Sequence, residues 1–258
     1  MQTFNIWNSL NLYWRKVALT FLFSFIFLNS FGQKLLSTAG QDDDLISYGF
    51  FLAGHTNSFR LKYSEAYMDP NGPYNFIHSI QPVHSQGFSL GFLTTLRLHD
   101  QFNVLFTPKV GFYEYRTLVN TYGRTDLPDY SPGGDRIPLT TTDVFTEATL
   151  VEFPLLFKYK SQRFNNTRMF FIGGANAQFR TKGQDEANED DLVILGSDIA
   201  LEFGMGFDIY FEYFKFSPEI RFSHGLRNLY KESHTNTNYA GAISDIRMRT
   251  ITIYLNFQ

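Results

Sequence analysis

Ser197 to Asn228 reads SDIALEFGMGFDIYFEYFKFSPEIRFSHGLRN, and its alternation decides the fold. From Ile199, every second residue is apolar: Ile199, Leu201, Phe203, Met205, Phe207, Ile209 and Phe211. The interleaved row is small, polar or acidic: Asp198, Ala200, Glu202, Gly204, Gly206, Asp208 and Tyr210. A period of two is an extended strand with two unlike faces. After a reversal at Glu212-Tyr213 the pattern resumes. Phe214, Phe216, Pro218, Ile220 and Phe222 alternate with Lys215, Ser217, Glu219, Arg221 and Ser223. The stretch is therefore a hairpin.

Two environments suit such a hairpin. In a soluble sandwich the apolar row meets a core and the polar row meets water. In a transmembrane barrel the apolar row meets lipid and the polar row lines the interior. The apolar row here is long and aromatic for a soluble strand. The other row mixes glycines with carboxylates and a guanidinium, which suits a narrow interior where opposite charges pair.

The same alternation recurs on both sides of the hairpin. Ile46 to Thr56 places Ile46, Tyr48, Phe50 and Leu52 on one face. His84 to Leu98 places Phe88, Leu90, Phe92 and Leu96 together. Phe102 to Tyr115 directs Phe102, Val104, Phe106, Val110 and Phe112 outward, with an irregularity expected at Pro108, which has no ladder donor. Thr146 to Lys160 directs Val151, Phe153, Leu155, Phe157 and Tyr159 outward. Arg168 to Thr181 does so with Met169, Phe171, Gly173, Ala175, Ala177 and Phe179, and Ile246 to Phe257 with Ile251, Ile253, Leu255 and Phe257.

That gives about eight strands, and their connections alternate in length. His99–Gln101, Ser161–Thr167 and Glu212–Tyr213 are short. Asn57–Val83, Asn120–Phe145, Lys182–Asp191 and Leu229–Ser244 are long and polar. Short turns at one end and long loops at the other are the pattern of an outer-membrane barrel, with short periplasmic turns and long extracellular loops. A sandwich has no reason to place every long loop at one end. Tyr113, Tyr115 and Tyr122, and the run Tyr210 to Phe216, read as interfacial girdles. An aromatic at the end of the last strand is a further barrel cue; here Phe257 is followed by Gln258.

Composition fits. Aromatics are 18% of the 258 residues and charged residues 18%, against the usual quarter for charge, while mean hydropathy is slightly negative. Alternate residues, not whole segments, are therefore apolar. At the N-terminus, Arg15 and Lys16 precede the apolar Val17–Leu28, and the small residues Ser30 and Gly32 follow. This is the secretory pattern, with an uncleaved anchor helix as the competing reading. The expected organisation is a signal peptide over 1–32, a polar lead-in over 33–45 and a barrel over 46–258.

The blocks VEFPLLFKYKS (Val151–Ser161), NNTRMFFIGGANAQF (Asn165–Phe179) and LEFGMGFDIYFEYFKFSPEIRFSHGLRN (Leu201–Asn228) resemble the PorT family of Bacteroidetes outer-membrane proteins, called SprT in gliding species. The resemblance runs from about Tyr48 to Phe257. It implies a role in the type IX secretion system, which exports proteins across the outer membrane and supports gliding motility. It implies no catalytic residues.

The inner rows place Lys109, Glu152, Lys158, Arg168, Glu202, Asp208, Glu219 and Arg221 inside a small barrel. An eight-stranded barrel is just wide enough for side chains to fill. Isolated buried charge is costly, so these groups are expected to form a structural salt-bridge network that includes Glu152–Lys158 and Glu219–Arg221. The competing reading is a narrow polar path for ions or a small solute.

Enzymatic signals are weak. The six histidines, His55, His78, His84, His99, His224 and His234, are scattered, and neither Gly-x-Ser-x-Gly nor His-Glu-x-x-His occurs. Adjacent Ser223 and His224 point to opposite faces of a strand. The absence of cysteine excludes disulfides, thiolate metal sites and cysteine catalysis. The acidic run Asp185–Asp191 lacks calcium-loop spacing and reads as a solvated loop. A net charge of −3 offers no case for nucleic acid. The expectation is a non-enzymatic barrel without cofactor or metal, surrounded by outer-membrane lipid and partnered by other secretion-system proteins. A small porin is the alternative, and an outer-membrane hydrolase, for which His55 or His224 would supply the base, is a third reading.

Overall fold

The computed structural model describes residues 44–122, 139–181, 195–231 and 240–258. The expected signal peptide and the loop Lys182–Asp191 lie outside the described residues. Ten antiparallel strands appear among the described residues. They are β1 (Ile46–Tyr63), β2 (Ile77–Val83), β3 (Ser85–Arg97), β4 (Phe102–Phe106), β5 (Lys109–Tyr122), β6 (Leu139–Lys160), β7 (Thr167–Arg180), β8 (Ser197–Tyr210), β9 (Lys215–Gly225) and β10 (Ile243–Phe257).

Ten strands replace the expected eight because two staves are interrupted. β2 and β3 both pair with β5, β2 over Ile77–Val83 and β3 over Phe88–Gly91, with the break at His84. β4 and β5 both pair with β6, β4 over Phe102–Phe106 and β5 over Lys109–Tyr122. The second break is at Thr107-Pro108, as the missing proline donor requires. There the Pro108 carbonyl still accepts from Phe92 N–H at 3.0 Å, and Thr107 N–H donates to the Pro154 carbonyl at 3.1 Å.

Neighbour pairings run β1–β3, β3–β4/β5, β5–β6, β6–β7, β7–β8, β8–β9 and β9–β10. β10 then pairs with β1 from Phe50↔Phe257 to Tyr63↔Ile243, so eight staves return to their starting point. Closure by the β1–β3 and β1–β10 ladders leaves no free sheet edge over Ile46–Asn57 of β1, as a bilayer requires because hydrocarbon cannot satisfy backbone groups. Beyond Asn57, β1 pairs with β10 and β2 with β5, with no ladder between β1 and β2 among the described residues. Gln258 helps seal the seam. Its backbone exchanges bonds with Lys215 at 2.7 and 3.0 Å, and its side-chain amide donates to Ser47 Oγ at 2.6 Å and Thr95 Oγ1 at 2.9 Å.

Three expected loops are partly strand. β1 continues past Thr56 to Tyr63 and is followed by a short helix α1 (Glu65–Met68), capped by Ser64 Oγ accepting from Tyr67 N–H at 3.2 Å. β2 occupies the end of the stretch assigned to the long connection Asn57–Val83. β5 and β6 likewise run on to Tyr122 and back to Leu139. β10 begins at Ile243, three residues before the expected Ile246.

The reason is a phase inversion along the strands. Toward the short turns, outward residues are apolar: Phe92 is 71% exposed and Phe203 59%. Further along the same strands the outward row becomes polar, with Arg60 and Lys62 on β1, Glu114 and Arg116 on β5, Asp143 and Glu147 on β6, and Arg249 on β10. There the inward row becomes apolar: Phe59, Tyr115, Val119, Val144, Ile246 and Met248 are buried together. The lower part is inside-out, as lipid demands; the upper part is patterned as in water. The inversion marks the outer membrane–water boundary.

Candidate functional site

The interior carries whatever polar chemistry this barrel has. At mid-height, Glu152 on β6 is fully buried, accepts hydrogen bonds from three groups and is ion-paired with a fourth. Tyr113 Oη donates to it, as does Gln178 Nε2 at 3.1 Å and Asn176 Nδ2 at 2.5 Å; Lys109 Nζ lies 3.2 Å away. Asn176 Nδ2 also donates to Glu202 Oε1 at 2.7 Å. Glu202 faces Arg221 Nη1 at 3.6 Å. Arg221, 1% exposed, pairs with Glu219 through Nε (2.5 Å) and Nη2, and donates from Nη1 to Thr107 Oγ1 at 3.2 Å. Its guanidinium carbon lies 4.0 Å from the centre of the Tyr254 ring, whose hydroxyl accepts from Lys109 at 2.8 Å.

One continuous network thus joins Lys109, Glu152, Asn176, Glu202, Arg221 and Glu219 across five staves. A second pair lies nearer the short turns. Lys158 Nζ sits 2.6 Å from Asp208 Oδ1, over the Phe170 ring at 3.7 Å, and Ser217 Oγ donates to the same carboxylate oxygen at 2.6 Å. Charges taken out of water need such partners, since desolvation otherwise costs several kcal/mol per ion.

Seven of the eight anticipated lumen charges are buried: Lys109, Glu152, Lys158, Glu202, Asp208, Glu219 and Arg221. Arg168 is half-buried, in register with Asp208. Glu219–Arg221 pairs as anticipated. Glu152–Lys158 does not pair directly: Glu152 takes Lys109, its cross-strand neighbour, and Lys158 takes Asp208. Positions 152 and 158 share a face but stand six residues apart on one strand, about 20 Å.

Tyr113 and Tyr115 require correction. They are 5% and 1% exposed and face the interior, not an interfacial girdle. Parity shows why: Gly111 points inward, so 113 and 115 must follow it. The girdle reading suits the turn after β8 better, where Phe211 stacks on Phe214 at 4.8 Å and Phe214 lies 6.5 Å from Phe257. Tyr210, by contrast, is buried inside. Sequence reasoning also missed Asn176, Gln178 and Tyr254. The first two follow from the outward row of β7, whose alternate positions must be internal.

The histidines do not converge. His55 is buried in the interior 4.0 Å from the Tyr113 ring, whereas His224 is half-buried on the outward row. His78 meets the Tyr122 hydroxyl at 2.6 Å through Nδ1. Among the described residues, no group of three or more His, Cys, Asp or Glu is placed to hold a metal.

Residues 33–231 match the family described as outer membrane protein beta-barrel domain. The chain belongs to that family. It is an integral outer-membrane protein. Solved structures of similar shape include the outer membrane protein OprG of Pseudomonas aeruginosa, at 11% identity, TM-score 0.42, covering 82% of this chain and 94% of that one. The Escherichia coli outer membrane protease OmpT is similar at 10% identity, TM-score 0.41, over 83% and 95%. Neisserial surface protein A is similar at 11% identity, TM-score 0.37, over 83% and 98%. Comparison with curated proteins finds no match.

Proposed function

We propose that this barrel is a non-enzymatic outer-membrane component of the type IX secretion machinery, of the PorT/SprT kind, working through protein partners. The observation that carries the partner-based reading is the filled interior. Side chains with essentially no exposed surface occupy its successive levels: Leu156 and Phe170 toward the short turns, Glu152 and Arg221 at mid-height, Leu229 and Ile246 toward the outer end. A side chain that no water can touch does not border an aqueous path. Such a barrel has its outer surfaces left to act with.

The secretion role is supported by the resemblance of Val151–Ser161, Asn165–Phe179 and Leu201–Asn228. Tyr213, 87% exposed on the turn between β8 and β9, gives the periplasmic side an aromatic surface suited to a protein contact. Lipid contacts the apolar wall; nucleic acid and cofactors have no part in this reading.

Deletion of the gene, followed by assay of exported proteins in the medium, tests it. Loss of export, restored by the wild-type gene, is expected; unchanged export overturns the secretion role. Stepwise conductance of the purified protein in a planar bilayer would instead favour the small-channel alternative.

A further inference from the structure

The outer boundary of the barrel is electrically lopsided. On the β1–β10 seam, Arg60 stands directly opposite Arg247, and Ser58 opposite Arg249. His224 of β9 is the cross-strand neighbour of Arg249. Arg247 has Asp245, with Nε 3.0 Å from Oδ2, and the same carboxylate lies 3.7 Å from Lys62. Among the described residues, no carboxylate lies within 4 Å of Arg60 or Arg249. Like charges directly across a ladder are unfavourable. Three guanidiniums therefore crowd one patch with one carboxylate between them and Lys62.

Beneath this patch the lipid-facing wall has a notch. Gly54 points outward on β1, and a Cβ there would meet nothing within 4 Å. A groove of about 460 Å³ lies at this position, walled on the outer face by Leu52, Thr56, Phe88, Ile253 and Leu255. Gly54 and Ser58 are four residues apart on one strand, so the groove lies about 13 Å along β1 from the position opposite Arg249, toward the short turns. Cation above and apolar slot below describe an amphiphile oriented with its anionic end at the membrane surface.

We propose that the Gly54 groove and the Arg60–Arg247–Arg249 patch form one binding site for a phosphorylated, acylated sugar lipid of the outer leaflet. Guanidiniums match phosphate oxygens in forked pairs, which favours phosphate as the headgroup anion. The slot takes one acyl chain. A soluble anion would use the patch alone, and a protein partner would have no use for a slot within the hydrocarbon band. The inference is independent of the secretion reading.

The molecule carries its own control. On the other side of Phe88 a second outward groove, about 250 Å³, includes Phe112 in its lining, but its upper lip is acidic, with Glu114 directly opposite Glu147. A phosphorylated lipid is repelled there.

Native mass spectrometry of the full-length protein in mild detergent tests the site, with diphosphoryl lipid A, phosphatidylethanolamine and inorganic phosphate as separate probes. Lipid A is expected to stay bound under activation that strips phosphatidylethanolamine, and phosphate alone is not retained. The R60A/R249A variant should lower lipid A affinity by about tenfold or more, from the loss of two surface cations. G54L, which fills the slot, should also weaken retention, while E114Q/E147Q should not. Heat-modifiable gel mobility verifies folding of each variant; R60Q/R249Q replaces the alanine pair if that pair does not fold. Equal stripping of both lipids from wild type, equal binding by R60A/R249A and wild type, or retention of inorganic phosphate as tight as that of lipid A overturns the proposal.

Discussion

Gly204 on β8 stands directly opposite Arg221 on β9, and a Cβ at Gly204 would collide with the Ile220 carbonyl oxygen and come within 3.1 Å of Arg221 Cα and 3.2 Å of its Cγ. The glycine is the space the lumen arginine occupies. Gly204→Val should therefore destabilise the barrel by about 1–3 kcal/mol through overpacking. Urea unfolding of the variant in lipid vesicles, followed by tyrosine fluorescence or gel mobility, reads the change. Wild-type stability in G204V would show that the approach is not tight.

Removing one partner of a buried pair should cost more than removing both. Glu152→Gln leaves Lys109 in the interior without its carboxylate, at an expected cost of about 3–5 kcal/mol. Lys109→Met together with Glu152→Gln should recover most of that loss. A double-mutant cycle by equilibrium unfolding checks it; strict additivity would show that the two groups do not interact.

Charge on the lipid face should be penalised by depth. Phe203→Arg lies within the apolar band of β8 and should cost about 2–4 kcal/mol, whereas Phe145→Arg, beside the polar outward residues of β6, should cost about 1 kcal/mol or less. Equal penalties, measured by vesicle refolding, would contradict the boundary assigned from the phase inversion.

In the turn between β3 and β4, the Arg97 guanidinium donates to Asp100 at 2.5 Å and holds that carboxyl below its ordinary range. A depressed carboxylate contributes its stabilisation above the unfolded value and loses it as pH falls through the folded one. The pair is exposed, so its effect on stability is small. Carboxyl carbon NMR should give Asp100 a lower midpoint in wild type than in R97Q; identical midpoints would refute the pairing.

The alternation from Ile199 to Phe222 sorted the residues onto two faces, and the alternation of short turns with long polar connections made the apolar face legible as the membrane-facing wall. The lumen charges followed by parity, which is also why Asn176 and Gln178 were recoverable in principle. Partner choice was not legible: Glu152 could face Lys109 or Lys158 until the register between β5 and β6 was fixed. The upper barrel was misread as loops because Arg60, Lys62, Glu114 and Arg116 looked solvent-bound. They are, but on strands whose other face, Phe59, Tyr115 and Val119, is a core. Tyr113 and Tyr115 were misassigned by residue type where parity with Gly111 gave the answer.

The chain lacks cysteine, so single cysteines can be placed along β8 from Ile199 to Tyr210 and spin-labelled without background. Paramagnetic accessibility in vesicles then reports solvent residue by residue. Labels at 199, 201, 203, 205 and 207 should collide with oxygen dissolved in the bilayer and be shielded from a water-soluble nickel reagent, while those at 200, 202 and 208 should be shielded from both. Odd positions open to the nickel reagent, or odd and even positions shielded alike, would mean that the phenylalanine-rich face does not meet hydrocarbon.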